Sequence, residues 1–365
     1  MSTITEVETT PQAIEDLAGR LFTEGVGAFH LGTVYIGLKH GLFAALAQDG
    51  PLTAAELANR TRLDGWYVRE WLQAETTAGL LLADDEDLSR ARFTAAPGVH
   101  DTLVNQTSPA YVGGLALTLP AAFSVMPELV AAFRTGGGVP YASYGEDAVE
   151  AQAALNRPAF VNQLVPEWLP QIPDVRALLA DSHRVTRIAD VGCGVGWAAI
   201  ELAKAYPHLS VDGYDSDEES IARARRNAAD AGVSDRVTFD VVDASGGYAT
   251  GRYDLVTFFE CVHDMAHPVT ALAQAKAAIA DGGTVIVMDE RVEETPAVGD
   301  PVQTFFATAS VLWCLPQGRV EPNSEAAGTM MPASRFRRIA QDAGWSDIEI
   351  LPIDHPFWRF YRLHS

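Results

Sequence analysis

The sequence predicts an α/β protein whose second half folds as an open, mostly parallel sheet flanked by helices. First, apolar segments that read as strands alternate with helical segments, which is the order of consecutive βαβ units. Second, a glycine-rich turn follows the first of these strands. Third, an acidic residue ends each of the first three strands, at positions 190, 215 and 243. The predicted strands span 187–191, 209–214, 237–242, 253–260 and 284–289.

The glycine-rich turn has the form Asp190-x-Gly192-x-Gly194-x-Gly196 and precedes a predicted helix. Glycines at alternate positions let the backbone turn sharply and let a ligand reach main-chain N–H groups with no Cβ in the way. A dinucleotide-binding turn would carry its third glycine one residue later, where this chain has Trp197. The pattern resembles the first motif of class I S-adenosylmethionine (SAM) dependent methyltransferases. A Rossmann-like domain that binds another nucleotide is the alternative.

The resemblance implies a SAM site at the carboxyl ends of the strands. Asp215 stands where a ribose would lie, and its carboxylate can accept hydrogen bonds from both hydroxyls. In the family, the acidic position that corresponds to Asp243 faces the adenine amino group. Ser216 and Ala244, which follow these two residues, and Glu260 after the fourth strand complete the predicted cofactor site, together with the glycine turn.

The last part of the chain fits the same family. Two predicted strands, 347–351 and 357–363, match the antiparallel sixth and seventh strands of class I methyltransferases. The SAM domain is therefore expected to occupy residues 185–365. A long insertion, 291–333, precedes a predicted helix over 335–343. A loop of this length is usually functional, and its apolar content predicts a cap over the acceptor.

Residues 1–97 predict a mainly helical winged-helix domain. Residues 1–11 are expected to be disordered, and helices are predicted over 11–25 and 28–47. Thr53 and Glu56 form the pattern of a capping box, and Asp64 is expected to cap a helix over 65–78. That helix is expected to carry Tyr67, Trp71 and Leu72 inward. Two short strands around an acidic turn at 84–87 read as the wing.

The winged helix is predicted to serve dimerisation and substrate covering rather than DNA binding. Its candidate recognition helix holds one basic residue, Arg69, against Glu70 and Glu75, and its wing is Asp-Asp-Glu-Asp. Phosphate recognition needs the opposite charge. Small-molecule O-methyltransferases are similar, since they place a winged-helix dimerisation domain before the SAM domain. The resemblance implies a homodimer. A SAM-binding winged-helix transcriptional regulator is the alternative class.

Residues 98–184 predict a helical linker that also forms a wall of the pocket, with helices over 120–133, 148–156 and 160–169. The substrate pocket is predicted from aromatic and apolar residues of this segment and of the cap insertion. Packing between domains is the alternative role of each of them. The predicted pocket residues are Tyr141, Tyr144, Phe160, Phe306, Trp313 and Met330.

The predicted catalytic pair is His263-Asp264, in the loop after the fourth strand. In small-molecule O-methyltransferases a His-Asp pair holds this position, which implies that His263 deprotonates the acceptor hydroxyl; the tryptophan that follows in the family is replaced by Met265. A neutral imidazole can take a proton from a phenol or an enol. Asp264, or Glu293 or Glu294 after the fifth strand, is expected to hold the ring tautomer. Bonding within the loop is the alternative role of His263.

Composition restricts the acceptor and the compartment. A net charge of −22 argues against a nucleic acid as methyl acceptor and favours a small molecule. No run approaches the ~20 apolar residues of a membrane helix, and residues 1–10 lack the basic and apolar regions of a signal peptide. Cys193, Cys261 and Cys314 lie far apart, which predicts reduced thiols in the cytoplasm.

These observations predict a SAM-dependent methyltransferase that acts on a small, aromatic natural-product acceptor. The His-Asp pair favours oxygen as the methylated atom. Methylation of carbon or nitrogen on an electron-rich heteroaromatic such as an indole is the alternative, and non-methylating SAM chemistry is a further one. His263, His267 and Glu260 have a spacing that can bind metal on a helix, but Pro268 starts the helix after them, so no metal is predicted.

Overall fold

The computed structural model describes residues 10–248 and 250–364. Nine of the eleven residues predicted to be disordered therefore lie outside the described residues. Thr10 is described, and it caps the helix that begins at Pro11. The chain forms two compact units, Met1–Pro120 and Ala121–Ser365. The division into 1–97, 98–184 and 185–365 differs from these units and stays a prediction.

The first unit has the predicted winged-helix architecture. Its three short strands pair antiparallel in the order β1-β3-β2. Thr53 and Glu56 form the predicted capping box, and the Asp64 carboxylate accepts from the N–H groups of Trp66 and Tyr67. The elements are α1 (Pro11–Lys39), α2 (Leu42–Asp49), β1 (Leu52–Thr53), α3 (Ala54–Thr61), α4 (Gly65–Thr77), β2 (Leu81–Ala83), β3 (Arg92–Ala95), a π-helical segment (His100–Val104) and α5 (Gly113–Ser124), which crosses the unit boundary.

Two details of this unit differ from the prediction. The helices predicted over 11–25 and 28–47 are instead the continuous α1, followed by α2 after a break at Gly41. The break falls there because Gly41 adopts a left-handed φ of 65°, whereas Gly25 stays helical. On α4 the predicted inward direction of Tyr67 is wrong, since this side chain is 81% exposed. The buried residues of α4 start one position later, at Val68.

The wing has the predicted acidic character. Its turn, 84–87, contains four carboxylates. The guanidinium of Arg90 lies 3.0 Å from a carboxylate oxygen of Asp87 and 3.6 Å from one of Asp85, so its positive charge is already paired. The wing therefore presents net negative charge, which opposes phosphate binding. The absence of a nucleic-acid partner stays a prediction.

The second unit is an α/β domain with helices on both faces of a seven-stranded sheet. The helices are α6 (Met126–Thr135), α7 (Glu146–Ala159), α8 (Pro173–Ala180), α9 (Trp197–Ala205), α10 (Glu218–Asp230), α11 (Pro268–Ala278), α12 (Pro301–Ala309), α13 (Leu315–Gly318) and α14 (Ala333–Asp342). The strands are β4 (Thr186–Val191), β5 (Leu209–Asp215), β6 (Val237–Val241), β7 (Tyr253–Phe259), β8 (Ile279–Glu290), β9 (Asp347–Ile350) and β10 (Trp358–His364). π-Helical segments span Phe160–Trp168 and Ser310–Cys314, and short 3₁₀ segments span Tyr141–Tyr144, Leu169–Gln171, Ala244–Gly246 and Val262–Asp264.

The strands of this sheet are ordered β6-β5-β4-β7-β8-β10-β9. Strands β4 to β8 pair in parallel, β10 pairs antiparallel to β8, and β9 pairs antiparallel to β10. Alternate residues of the central strands enter two separate cores. Ile188 and Leu255 belong to one, with α9 and α10, and Ala189 and Val256 belong to the other, with α11 and α14. The predicted Rossmann-like methyltransferase fold is confirmed.

Two segments of the chain differ in their helices from the prediction. The helix predicted over 120–133 is interrupted at Val125, so that α5 and α6 are separate helices. The insertion 291–333 holds α12, the Ser310–Cys314 segment and α13 rather than an extended loop. Among the described residues, only α5 and α6 taken together as a bent pair meet the length and composition of a membrane span, and no single helix does.

A glycine pair on α1 tests how closely the first unit is packed. A Cβ at Gly37 would stand 2.5 Å from the ring of Phe43 and 2.7 Å from that of Trp71. Gly37→Ala is therefore expected to lower the free energy of unfolding by about 1–3 kcal/mol. The matched control is Gly32→Ala on the same helix, where a Cβ meets nothing within 4 Å and the higher helix propensity of alanine favours folding by about 1 kcal/mol. Urea titration followed by circular dichroism measures both, and equal effects would contradict the close packing.

Candidate active site

A cavity of about 470 Å³ lies at the carboxyl ends of strands β4, β5, β6 and β7. Asp190 and Asp215 lie at the ends of β4 and β5, and Asp243 and Glu260 follow β6 and β7. Helix α7 forms one wall with the residues Val149, Gln152, Ala153 and Asn156, and the insertion covers the cavity with Trp313, Gln317, Val320 and Glu321. The position agrees with the edge at which ligands bind open parallel sheets.

The glycine turn after β4 needs glycine at each of its three positions. Gly192, Gly194 and Gly196 have φ values of 70°, 53° and 83°, in the left-handed region. A Cβ at Gly192 would stand 2.6 Å from Cys261, and one at Gly196 would stand 2.5 Å from the ring of Phe239. A Cβ at Gly194 would meet nothing within 4 Å, and this residue lines the cavity. The turn is therefore packed at its two ends and open at its centre.

Asp190 and Asp215 are held beside this turn by different donors. The Asp190 carboxylate accepts from the Thr257 hydroxyl at 2.8 Å, and its other oxygen is buried with no partner among the described residues. Burial raises the pKa of Asp190 to about 7. Asp215 accepts from the N–H groups of Gly194 at 2.8 Å and Asp217 at 2.9 Å. Burial also raises the pKa of Asp215, and these N–H donors oppose the rise.

The remaining predicted cofactor residues occupy the same cavity, with one exception. Asp243 caps the 3₁₀ segment that follows β6 by accepting from the N–H and hydroxyl of Ser245, both at 2.8 Å. Ser216 and Ala244 line the cavity beside it. Gly196 does not line the cavity, because it forms the left-handed N-cap of α9. Gly196 therefore shapes the backbone of the turn and does not face the cavity.

The lining of the cavity is strongly acidic. Among the described residues that line it there is no lysine and no arginine, and His267 is the single histidine. His267 is itself 2.9 Å from a carboxylate oxygen of Glu321. The seven lining carboxylates belong to Asp190, Asp215, Asp217, Asp243, Glu260, Asp264 and Glu321. Such a lining favours cations and hydrogen-bond donors and disfavours anions.

His263 lies behind this lining rather than in it. Its ring is 2% exposed, and its Nδ1 lies 2.6 Å from Asp289 Oδ1, with hydrogen-bond geometry, and 2.8 Å from Glu290 Oε2. Its Nε2 lies 3.2 Å from Asp264 Oδ1, an ion-pair distance without hydrogen-bond geometry. Burial alone would lower the pKa of His263, but the charges of Asp264, Glu290 and Asp289 outweigh it and hold the pKa well above its ordinary value.

The two carboxyl groups nearest to His263 Nδ1 have pKa shifts of opposite direction. Burial raises the pKa of Asp289, but the opposing charge and hydrogen bond of His263 are stronger, so the net pKa of Asp289 falls. Burial raises the pKa of Glu290 well above its usual range. The attraction between His263 and Asp289 therefore raises the pKa of the ring and lowers that of the carboxyl, whereas burial raises the pKa of Glu290. Glu293 and Glu294 are not the ring partners, because Glu294 bonds Ser334 and Glu293 lies near Arg291 and Arg359.

The geometry also brings together side chains that can ligate a metal ion. The ligand atoms of His263, Asp264 and Cys314 lie within 4.8 Å of one another, and so do those of His263, Asp289 and Glu290. Neither group is the one weighed from the sequence, since His267 pairs with Glu321 instead. Both groups depend on the same histidine, whose protonated ring already supplies a positive charge to the carboxylates.

Half of the predicted substrate-pocket residues line this cavity. Tyr141, Phe160 and Trp313 do so. Tyr144 is buried with its hydroxyl donating to the Leu312 carbonyl, and its ring packs 4.9 Å from that of Trp313. Phe306 is buried with its ring 6.3 Å from that of Phe357, and Met330 lies outside the lining.

Sequence reasoning missed two sets of residues at the site. The lining residues of α7 recur at 149, 152, 153 and 156, which is helical spacing that leads to the predicted Phe160 and could have indicated one face. Asp289 and Glu290 end a buried strand, as Asp190 and Asp215 do, and the same reasoning could have placed them at the site.

Two family models match the chain. Residues 182–325 match the model described as "Methyltransferase domain", and residues 29–90 match the model described as "Rv2258c-like winged HTH domain". The first contains the glycine turn, the three strand-end aspartates and His263. The second contains residues 29–39 of α1, together with α2, α3 and α4.

The chain is similar to known small-molecule methyltransferases. It is 27% identical over 83% of both chains to the 3-hydroxy-5-methyl-1-naphthoate 3-O-methyltransferase of Streptomyces sahachiroi. It is 33% identical to the 27-O-demethylrifamycin SV methyltransferase of Amycolatopsis mediterranei, over 30% of this chain and 41% of that relative. The structure of human N-acetylserotonin methyltransferase in complex with SAM matches with a TM-score of 0.66, 16% identity and 99% of both chains covered. This last likeness shows a shared fold.

One packed end and the open centre of the glycine turn allow a matched test. Gly196→Ala is expected to lower the free energy of unfolding by about 1–3 kcal/mol, because the added Cβ meets the Phe239 ring. Gly194→Ala adds a Cβ in the same left-handed region, but into the open cavity. It is expected to cost about 1–2 kcal/mol of backbone strain and to lower the affinity for S-adenosylhomocysteine at least tenfold.

Thermal unfolding and isothermal calorimetry measure the two effects. Calorimetry is carried out on protein that is folded at the temperature of the titration. The glycine turn would not be the ligand cradle if the Gly194→Ala protein bound S-adenosylhomocysteine as tightly as the wild type.

Proposed function

We propose that this chain, which carries a class I SAM-dependent methyltransferase domain behind a winged-helix domain, transfers a methyl group to an oxygen of a small aromatic acceptor. One observation supports this best: the cavity joins the glycine turn of the methyltransferase domain to the segment that holds His263 and Asp264. The relatives whose printed names specify O-methylation of small molecules support the acceptor class. The predicted cytoplasmic location stays a prediction.

The residues present fit SAM as the cofactor. The open space at Gly194 lets a ligand approach the main chain of the turn, and the Gly194 N–H donates to the Asp215 carboxylate at 2.8 Å, at the end of the neighbouring strand. The acidic lining suits a molecule with positive charge. We infer that Asp190, Asp215, Ser216, Asp243 and Ala244 hold it with the glycine turn. When bound, SAM supplies an electrophilic methyl group on a sulfonium.

The chain's own contribution to the chemistry is to position the acceptor and to take a proton. We assign the proton to His263. The hydrogen bond to Asp289 orients the ring with Nδ1 as its donor, so Nε2 is the nitrogen that faces Asp264 and the cavity lining. Because the pKa of His263 is raised in the ligand-free chain, the ring is protonated there. Positive charge in the acidic cavity would lower that pKa and favour the neutral ring that a base requires.

We further propose that the protein is a homodimer joined through α1. Residues 11–27 of this helix are all exposed, and an unpacked helix of this length is marginal in water. Exposed apolar residues recur along it, and a second copy of the same helix would cover them in a two-fold arrangement. These residues are Ile14, Leu17, Leu21, Phe22, Val26, Phe29 and Ile36.

Replacing His263 tests its role as the base. His263→Asn removes Nε2 but keeps a donor near Asp289, and turnover is expected to fall about 10²–10⁴-fold. The assay is formation of S-adenosylhomocysteine with a phenol that the wild type methylates, selected from a phenol library. As the control, the affinity for S-adenosylhomocysteine is expected to stay within about threefold, because His263 does not line the cavity. Turnover close to the wild type would remove the assignment.

A substitution that places a charge on α1 tests the proposed dimer. Leu21→Glu places a carboxylate in the apolar stripe and is expected to convert the dimer into monomers at micromolar concentration, because burying an unpaired charge is costly. Thr23→Glu is the control. Thr23 lies about 200° around the helix from Leu21, on the opposite face. Analytical ultracentrifugation distinguishes the two, and a wild-type protein that sediments as a monomer would contradict the proposal.

A further inference from the structure

The carboxylate of Glu260 occupies a distinct part of the cavity. Glu260 follows β7 directly, and its N–H donates to the Met288 carbonyl of β8 at 2.7 Å. Its Oε1 accepts from the indole N–H of Trp358, the first residue of β10, at 3.1 Å. Asp190 and Asp215 lie on β4 and β5, on the other side of β7 in the sheet. Glu260 is therefore directed away from the inferred cofactor carboxylates and toward the side of the sheet that carries the His263 cluster.

The orientation of this carboxylate is fixed. The Trp358 ring stacks on His355 with centroids 4.5 Å apart and packs against Trp168 at 5.5 Å, so its N–H donor is held in place. The backbone of Glu260 has a φ of 59°, a left-handed conformation that is strained for a residue other than glycine. Strain of this kind persists where the surroundings determine the conformation. The carboxylate is thus preorganised before any ligand enters.

One oxygen of this carboxylate makes no hydrogen bond of normal geometry. Oε2 of Glu260 is buried, and it has no such bond to a described residue, although the Asn156 side chain lies near enough to the carboxylate to lower its pKa. Burial raises the pKa of Glu260 to about 7, although the bond from Trp358 and the charge of His263 oppose the rise. A buried acceptor without a donor is unfavourable, and a donor supplied by a ligand would remove that cost. Glu260, which lines the cavity, therefore holds an acceptor oxygen that a donor group of a ligand would satisfy.

The surrounding charge excludes anions from this oxygen and favours a hydrogen-bond donor. The other six lining carboxylates repel anions, and the described lining offers no lysine or arginine to pair with one. An aromatic N–H group donates without presenting a free acceptor lone pair, because the nitrogen lone pair is delocalised into the ring. A hydroxyl keeps acceptor lone pairs that nearby carboxylates repel.

We propose that Oε2 of Glu260 receives an N–H group of the methyl acceptor, so that the acceptor is an aromatic molecule with a hydroxyl to be methylated, a nitrogen-bound hydrogen and no carboxylate. This assignment rests on the proposed function of the same cavity. It replaces the cofactor role that the sequence predicts for Glu260. Glu260 is then a specificity-determining residue, since a site built to bond an N–H group rejects analogues that lack it.

Four naphthalenes that differ in one substituent test the proposal. Isothermal calorimetry measures their binding to the full chain loaded with S-adenosylhomocysteine, a readout independent of turnover. 5-Amino-1-naphthol is expected to bind at least tenfold more tightly than its isostere 5-methyl-1-naphthol and more tightly than 1,5-dihydroxynaphthalene, and 5-hydroxy-1-naphthoate is expected not to bind. Equal affinity for the amino and methyl compounds, equal or tighter binding of the dihydroxy or carboxylate compound, or binding of none would overturn it.

Glu260→Gln tests the residue itself. The carbonyl of the amide can keep the bond from Trp358, and its NH₂ group then replaces Oε2. This NH₂ group would meet the N–H group of the ligand, and two donors form no hydrogen bond. The affinity for 5-amino-1-naphthol is expected to fall at least tenfold, while that for S-adenosylhomocysteine stays within threefold. Glu349→Gln on β9, outside the cavity, removes the same charge and is expected to change neither affinity.

The outcomes separate this inference from the proposed function. Failure of the wild type to bind S-adenosylhomocysteine would end the proposed function. If the wild type binds it and Glu260→Gln weakens that binding tenfold, the carboxylate belongs to the cofactor and the inference is overturned. An unchanged affinity of Glu260→Gln for the amino compound overturns it as well.

Discussion

The parallel register between β7 and β8 is the constraint on which the site depends. Phe259 pairs with Met288, and the N–H of Glu260 donates to the Met288 carbonyl. This register sets the ends of the two strands side by side, so that the segment after β7 brings His263 to within 2.6 Å of Asp289. A shift of one residue would exchange the faces of Asp289 and Glu290 and separate the ring from its carboxylate. The chemistry of the cavity therefore follows from main-chain pairing between two strands that are buried on both faces.

The sequence predicts the sheet well, and it places Asp190, Asp215 and the glycine turn at the edge where the cavity lies, for a physical reason. Strands buried on both faces are apolar runs, and they end where a polar residue meets the ligand edge. Asp190, Asp215 and the glycine turn can therefore be read locally. The partners of His263 could not be read in this way, because contact between Asp289 and His263 depends on the register of neighbouring strands. Glu293 and Glu294, which the sequence offers as alternatives to Asp264, are not the ring partners for that reason.

The errors in the first unit have a local origin. Gly25 reads as a helix end, but a glycine without a left-handed φ costs a helix only about 1 kcal/mol, and α1 continues through it. The inward direction predicted for Tyr67 reflects the aromatic character of that residue and not its phase on α4. Val68, Trp71, Leu72 and Glu75 are the buried positions, and Tyr67 lies about 100° from the first of them. Phase, rather than residue type, decides which side of a short helix is buried.

The charges of the cavity and of the cluster behind it follow one rule. Behind the lining, the charge of His263 lowers the pKa of Asp289, whereas burial raises the pKa of Glu290. In the lining itself, seven carboxylates face a space to which the described residues contribute no lysine or arginine. Their mutual repulsion is relieved when a ligand brings positive charge. Under the proposed function, a sulfonium ligand would gain this stabilisation, and the uncharged thioether that remains after methyl transfer would gain less of it. The acidic lining would then favour the reactant form of the cofactor over the product form.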